Sequence, residues 1–157
     1  MNYILKGYCF NFYINMSKTN RFKVITVWIV CNSYNEVLLW KRAETEDVFP
    51  WCRAIPWGKV ELDWDENTRD ILEQSVVREI KEEIWIEVKN CRYISSHYGF
   101  NWWEFKLYIA YKADHMSWTP QALDETEEVK FFTIKDALQL KLAPNVDIIL
   151  QQLWERL

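Results

Sequence analysis

Between residues 72 and 84 apolar side chains recur at every fourth position, as Leu72, Val76, Ile80 and Ile84. That is the spacing of one face of an α-helix, not of a strand, whose faces repeat every second residue. Three glutamates share the segment, in Arg78-Glu79-Ile80-Lys81-Glu82-Glu83. Taking about 100° per residue with Leu72 at zero, Val76 falls near +40° and Ile80 near +80°, while Glu79 falls near −20° and Glu83 near +20°. Two carboxylates one turn apart therefore stand on or beside the face that has to be buried. Like charges at that spacing repel, and a buried carboxylate without a partner is costly. A hard divalent cation with oxygen ligands removes both costs. A solvated acidic helix, with Arg78 paired to Glu82, fits the spacing as well, so the spacing alone leaves both readings open. Glu82 lies about 60° further round from Glu79.

Around this helix, predicted over Asp70–Ile84 with Thr68 or Asp70 as its cap, the rest of the chain reads mostly as strands. Phe22–Cys31 and Val37–Trp40 are rich in β-branched and aromatic residues and are separated by the turn-forming run Asn32–Glu36. Ala54–Leu62 reads as a short extended piece, and strand signals return at Trp85–Val88, Tyr93–His97 and Glu104–Tyr111. Asp114–Glu128 reads as loop, Val129–Thr133 as a strand and Ile134–Leu140 as a short helix. A last helix follows Pro144, with Val146, Ile149, Leu150, Leu153 and Leu157 in one stripe. Strands and helices alternate without a βαβ repeat, which predicts an α/β class fold with a mixed sheet and helices on both faces.

The chain has 157 residues, half of them apolar, enough for one domain with a core. Its net charge of −4 argues against a broad basic surface for nucleic-acid backbone. It leaves room for a small phosphorylated substrate whose charge a metal offsets. Cys9, Cys31, Cys52 and Cys91 form no CxxC pair, so buried thiols in a reducing, cytoplasmic compartment are expected. No stretch reaches the roughly 18–20 apolar residues of a membrane-spanning helix. Residues 1–21 read as an N-terminal extension, with Met16 as an alternative start, and 22–157 as the domain.

Pro56-Trp57-Gly58-Lys59-Val60-Glu61, then Leu72-Glu73, then Arg78-Glu79-Ile80-Lys81-Glu82-Glu83-Ile84-Trp85-Ile86, resembles the Nudix box. That box has a Gly, an upstream Glu and an Arg-Glu-aliphatic-any-Glu-Glu core, closed by a Gly and an aliphatic residue. The resemblance covers roughly residues 22 to 157. It implies a Nudix-like α/β/α sandwich with a mixed curved sheet, and a nucleoside-diphosphate-X pyrophosphohydrolase. The segment between Glu61 and Asp70 is about six residues longer than the box, by counting back from Arg78 and forward from Gly58. Asp70, Glu66 and Glu73 are therefore all candidates for its first acidic position.

The other departures place Trp where the resemblance expects Gly, at Trp57 and Trp85, and similarly at Trp28, Trp40 and Trp64. The chain holds 3 Gly against 10 Trp, where average usage of about 7% would give about eleven Gly. A UGA codon decoded as Trp by one translation table and as Gly by the source organism accounts for both facts. A divergent, Trp-rich relative with an altered pocket is the other reading. It is physically harder, because a helix-ending glycine commonly takes the left-handed conformation, which disfavours a side chain.

By resemblance, Glu79, Glu82 and Glu83 hold Mg²⁺ or Mn²⁺ against a diphosphate, and Arg78 orients them. Glu125, in the acidic run Asp124–Glu128, is a candidate further ligand or general base; a solvated loop reads equally well there. Lys59, Glu61 and Arg42 are candidate substrate contacts, and no organic cofactor is expected. His97, Tyr98 and Phe100 are candidates for a nucleobase pocket, against a plain strand-end histidine. The expected partner is a small nucleotide-like substrate of the nucleoside triphosphate, ADP-ribose or sugar-nucleotide type, with no bulk nucleic acid and no membrane, bound by a monomer or homodimer. A catalytically impaired nucleotide-binding module is the alternative.

Overall fold

The computed structural model describes residues 22–60, 69–101, 104–122 and 126–157. Among these residues seven strands form one mixed sheet: β1 (Phe22–Cys31), β2 (Val37–Arg42), β3 (Arg53–Ala54), β4 (Trp57–Lys59), β5 (Glu87–Asn101), β6 (Glu104–Ser117) and β7 (Thr126–Phe132). The main path runs β3-β2-β1-β6-β5, with β4 on β1 and β7 on β2. The helices among the described residues are α1 (Ile71–Ile84), α2 (Ile134–Ala137) and α3 (Val146–Trp154). The sheet is curved and open, and the fold is of the α/β class.

β1 is buried from Ile25 to Cys31 without alternation, as expected of a central strand covered on both faces. It runs parallel to β6 over ten residue pairs, from Phe22↔Phe105 to Cys31↔Asp114. It leaves through a turn that Asn32 closes: its side-chain oxygen accepts the Tyr34 and Glu36 backbone N–H groups at 2.9 and 3.0 Å. Asn35 takes φ 58° there, a conformation Asn tolerates better than most residues.

Several predicted boundaries move. The two strands expected at 85–88 and 93–97 are one strand, β5, interrupted by register shifts between Lys89 and Arg92 and between Tyr93 and Ser95. β6 continues past Tyr111 to Ser117, into the segment expected to be loop. Its charged residues are accommodated because Lys112 Nζ donates to Asp114 Oδ1 at 2.5 Å, and Asn90 on β5 donates to Asp114 Oδ2 at 3.0 Å. β7 likewise begins inside the acidic run, at Thr126. α2 ends at Ala137, capped by Thr133, whose hydroxyl accepts the Asp136 N–H. α3 buries Val146, Ile149, Leu150 and Leu153, but it stops before Leu157, which is 55% exposed. Asp70 occupies the N-cap position of α1 with φ 51° and makes no side-chain cap hydrogen bond.

α1 packs on β1, β4 and β5, α3 on β5, and α2 on β2 and β7. Cys31 and Cys52 are buried thiols. No helix among the described residues is long and apolar enough to cross a membrane.

Candidate active site

α1 buries Ser75, Val76, Ile80 and Ile84, the stripe that the period of four foretells. This fixes the rotation of the helix and turns Glu79 and Glu83 towards β4. β4 is held antiparallel to β1 by the pairs Ile25↔Lys59, Thr26↔Gly58 and Val27↔Trp57. Gly58 is thereby pressed against the helix: a Cβ built on it would lie 2.6 Å from Glu79 Cδ and 2.7 Å from Glu79 Oε2. Only a residue without a side chain admits the carboxylate at this distance.

The two glutamates open into a cleft of about 190 Å³ lined by Trp40, Arg42, Trp57, Gly58, Lys59, Glu79 and Glu83. Arg78 Nη2 donates to Glu79 Oε1 at 2.8 Å, and the Glu79 side chain is 16% exposed. Glu83 Oε2 is out of contact with solvent. Lys59 reaches the cleft from β4 with an exposed side chain, whereas Arg42 is buried and anchored. The Arg42 Nε donates to the Val48 carbonyl at 2.8 Å, and its Nη2 is paired with Glu46.

Glu82 is exposed and lines a neighbouring cleft of about 460 Å³ with Arg78, Lys81, Trp85, Ile86, Glu87 and Trp118. The predicted trio is thus divided between two neighbouring clefts, Glu79 and Glu83 in one and Glu82 in the other. No group of three or more His, Cys, Asp or Glu side chains converges among the described residues. Glu61, Glu66, Trp64 and Glu125 lie outside those residues. Of the candidates for the first acidic position, Asp70 is exposed beyond the helix start, and Glu73 stands by Tyr111. Burial, and then Glu73, push the Tyr111 hydroxyl up to about 12.

The acidic run that leads into β7 is partly committed to structure. Lys41 Nζ donates to Glu127 Oε2 at 2.5 Å, Glu127 also accepts the Glu44 N–H, and Arg53 pairs with Glu128. The Lys41 hydrogen bond holds the Glu127 carboxyl below its ordinary range, and Arg53 does the same for Glu128. His97 stacks flat on Tyr108, with centroids 4.8 Å apart and planes at 8°, and burial lowers its pKa. It does not line the cleft. The anchoring of Arg42 by Glu46 has no signal in the sequence beyond their i,i+4 spacing, which suggests a helix that is not there.

The tryptophans divide by conformation. Trp85 ends α1 with φ 57° and ψ 36°, and Trp51 and Trp118 also take positive φ. Trp57 is 39% exposed on β4. Trp28 and Trp40 are buried, and their indole N–H groups have no hydrogen-bond partner among the described residues.

A two-carboxylate cleft fits a hard cation. Mg²⁺ takes oxygen donors and is commonly held by one or two carboxylates together with substrate phosphates, and Glu79 and Glu83 present such a donor pair with Lys59 alongside.

The fold and sequence have known counterparts. A MutT NUDIX hydrolase from Burkholderia pseudomallei is 25% identical, with a TM-score of 0.69 over 85% of this chain and 98% of its own. A MutT protein from Methanosarcina mazei is 18% identical, with a TM-score of 0.68 over 87% of this chain and 96% of its own. The NUDIX domain of Shewanella oneidensis NrtR, solved with ADP ribose, is 21% identical, with a TM-score of 0.66 over 98% of both chains. No curated protein matches. Residues 21–153 match the NUDIX domain, and with the glutamate helix seated against Gly58 in the fold of these proteins, the chain belongs to the NUDIX family.

Proposed function

We propose that this chain hydrolyses a phosphoanhydride bond in a nucleoside diphosphate linked to another moiety, with Mg²⁺ or Mn²⁺ as its cofactor. The observation that carries the reading is the placement of Glu79 and Glu83, one turn apart, in a single cleft that Lys59 and Arg42 also line. Like charges one turn apart repel, and a divalent cation held between the two carboxylates offsets that repulsion. A bound divalent ion supplies charge neutralisation on the phosphates and a lowered pKa for an attacking water.

The chain's own groups do the rest. Glu79 and Glu83 offer the oxygen ligands. Arg78 is a positioning residue: its charge-assisted hydrogen bond holds the Glu79 carboxylate at one orientation. Gly58 admits that carboxylate to the sheet edge. Lys59 places a mobile positive charge where phosphate oxygens enter, and Arg42, fixed by Val48 and Glu46, adds a stationary one. Glu82, turned to the adjacent cleft, is assigned to a second cation. Glu61 and Glu125 belong to this proposal on the family resemblance, as substrate contact and as additional ligand or base.

Nucleoside triphosphates, ADP-ribose and sugar nucleotides are the substrate classes to test. ADP ribose is the ligand of the Shewanella domain, which gives it first place in the panel. One observation favours a catalytically impaired, nucleotide-binding version: Trp40 and Trp57 stand in the cleft beside Glu79 and Glu83, where indoles crowd the approach to the carboxylates.

The test is phosphate release across that panel, with and without Mg²⁺, by the chain as written and by Trp57→Gly. Glu79→Gln and Glu83→Gln serve as inactive controls. Metal-dependent turnover that both glutamine variants lose supports the hydrolase. Saturable nucleotide binding without turnover in either form replaces it by the binding module.

A further inference from the structure

We infer that positions 51, 85 and 118 are glycine in the polypeptide that the source cell makes, so that the codons written here as Trp51, Trp85 and Trp118 are decoded as Gly there. The argument is conformational and does not depend on the hydrolase reading.

Eight non-glycine residues among those described have φ between 51° and 73°. Four of them, Asn35, Asp70, Asn90 and Asn145, are the short polar types that tolerate the left-handed region. Three are Trp51 at φ 65°, Trp85 at 57° and Trp118 at 73°. A bulky aromatic residue there is an outlier. The eighth is Phe49, two residues before Trp51 in the same turn. Meanwhile no glycine among the described residues takes a positive φ. The fold therefore places glycine-type backbone where the sequence has indoles.

Trp85 is the sharpest case. It follows the last residue of α1 in left-handed geometry, the position where glycine is most enriched in helix termination. Packing offers little compensation. Trp51, Trp85 and Trp118 are 42%, 56% and 61% exposed. The only ring contact between any two of them is the Trp85–Trp118 edge, at 6.3 Å. Lys41 stands over the Trp51 ring at 4.7 Å, a surface cation contact. Trp154, by contrast, is 65% exposed but lies in α3 with helical backbone, so nothing there asks for glycine.

The inference bears on the site as well. Trp85 and Trp118 form one wall of the cleft that Glu82 lines. With glycine at both positions that wall is gone, and Glu82 is approachable from the side that the indoles now cover.

The first test reads the gene. UGA at codons 51, 85 and 118 is the expected result, and UGG at any of them overturns the inference for that position. The second test compares thermal unfolding of the full chain as written with the triple variant W51G/W85G/W118G and with W154G. The triple variant should unfold at least about 5 °C higher, and W154G should unfold at the same temperature or lower. A triple variant that melts below the literal chain overturns the inference whatever its activity. Equal gains in the triple variant and in W154G also overturn it, because removing an exposed indole would then be the cause.

Discussion

Gly58→Ala separates the fold from the chemistry. The methyl group would begin 2.6 Å from Glu79 Cδ, 2.7 Å from Oε2 and 2.9 Å from Cγ. Since Gly58 does not have a positive φ, alanine is permitted by the backbone and the whole effect lies in this contact. The atoms met are the far end of a flexible side chain. Restoring ordinary contact at 3.4 Å requires the carboxyl carbon to retreat by about 0.8 Å. Rotating Glu79 off its rotamer by ~30° costs about 0.5–1.5 kcal/mol, which lowers Tm by roughly 2–5 °C for a chain of this length. The catalytic effect is much larger, because displacing a reacting group by ~1 Å costs about 10²-fold in rate. The assay is Mg²⁺-dependent phosphate release on whichever nucleotide the parent turns over, alongside a thermal melt. Unchanged turnover in a folded alanine variant would refute the role given to Glu79. A fall in Tm of more than ~10 °C would show that the rigid sheet, rather than the side chain, absorbs the methyl.

Other outcomes follow from the same structure. Millimolar Mg²⁺ should raise the Tm of the parent by binding the folded state alone, and Glu83→Gln should abolish the shift; a shift retained in that variant would move the ion elsewhere. Tm should fall steadily from pH 7 to pH 3. Burial lowers the His97 pKa, so the unfolded chain takes up the proton first as pH drops through about 6.5. The Lys112 hydrogen bond lowers the Asp114 pKa, so its contribution is present above the ordinary carboxylate range and is lost as pH falls through the depressed value. Asp114→Asn should cost about 1–3 kcal/mol at pH 7, because it leaves the buried Lys112 ammonium without its counter-charge, and it should flatten the titration below pH 4; a melt unchanged at both pH values would refute the pairing. Burial pushes the Cys31 thiol up to about 11, so iodoacetamide at pH 8 should label it only as fast as the chain unfolds, and labelling at the rate of an exposed thiol in the native protein would contradict the burial.

What could be read from the sequence follows the range of the interactions that decide each feature. The helix wheel set Glu79 and Glu83 on the buried side of α1 because helical rotation is fixed by Val76, Ile80 and Ile84 alone, all within one turn or two. The same wheel set Glu82 apart, and it does face another cleft. The β1 turn was legible for a similar reason, since Asn32 closes it on residues two and four places away. Strand ends were not legible where a charged residue finds its partner inside the sheet. Lys112 and Asp114 made β6 look finished at Tyr111, yet each neutralises the other and the strand continues. The acidic run at the start of β7 was least legible of all. Glu127 and Glu128 read as a solvated acidic run, but they meet Lys41 and Arg53 across 86 and 75 residues of chain, a distance no local pattern encodes. Those pairs tie β7 to β2 and β3. With Glu127 and Glu128 committed to those pairs, the further ligand or base proposed for this run is tested at Glu125, where Glu125→Gln should lose metal-dependent turnover and an unchanged rate would remove that residue from the proposal.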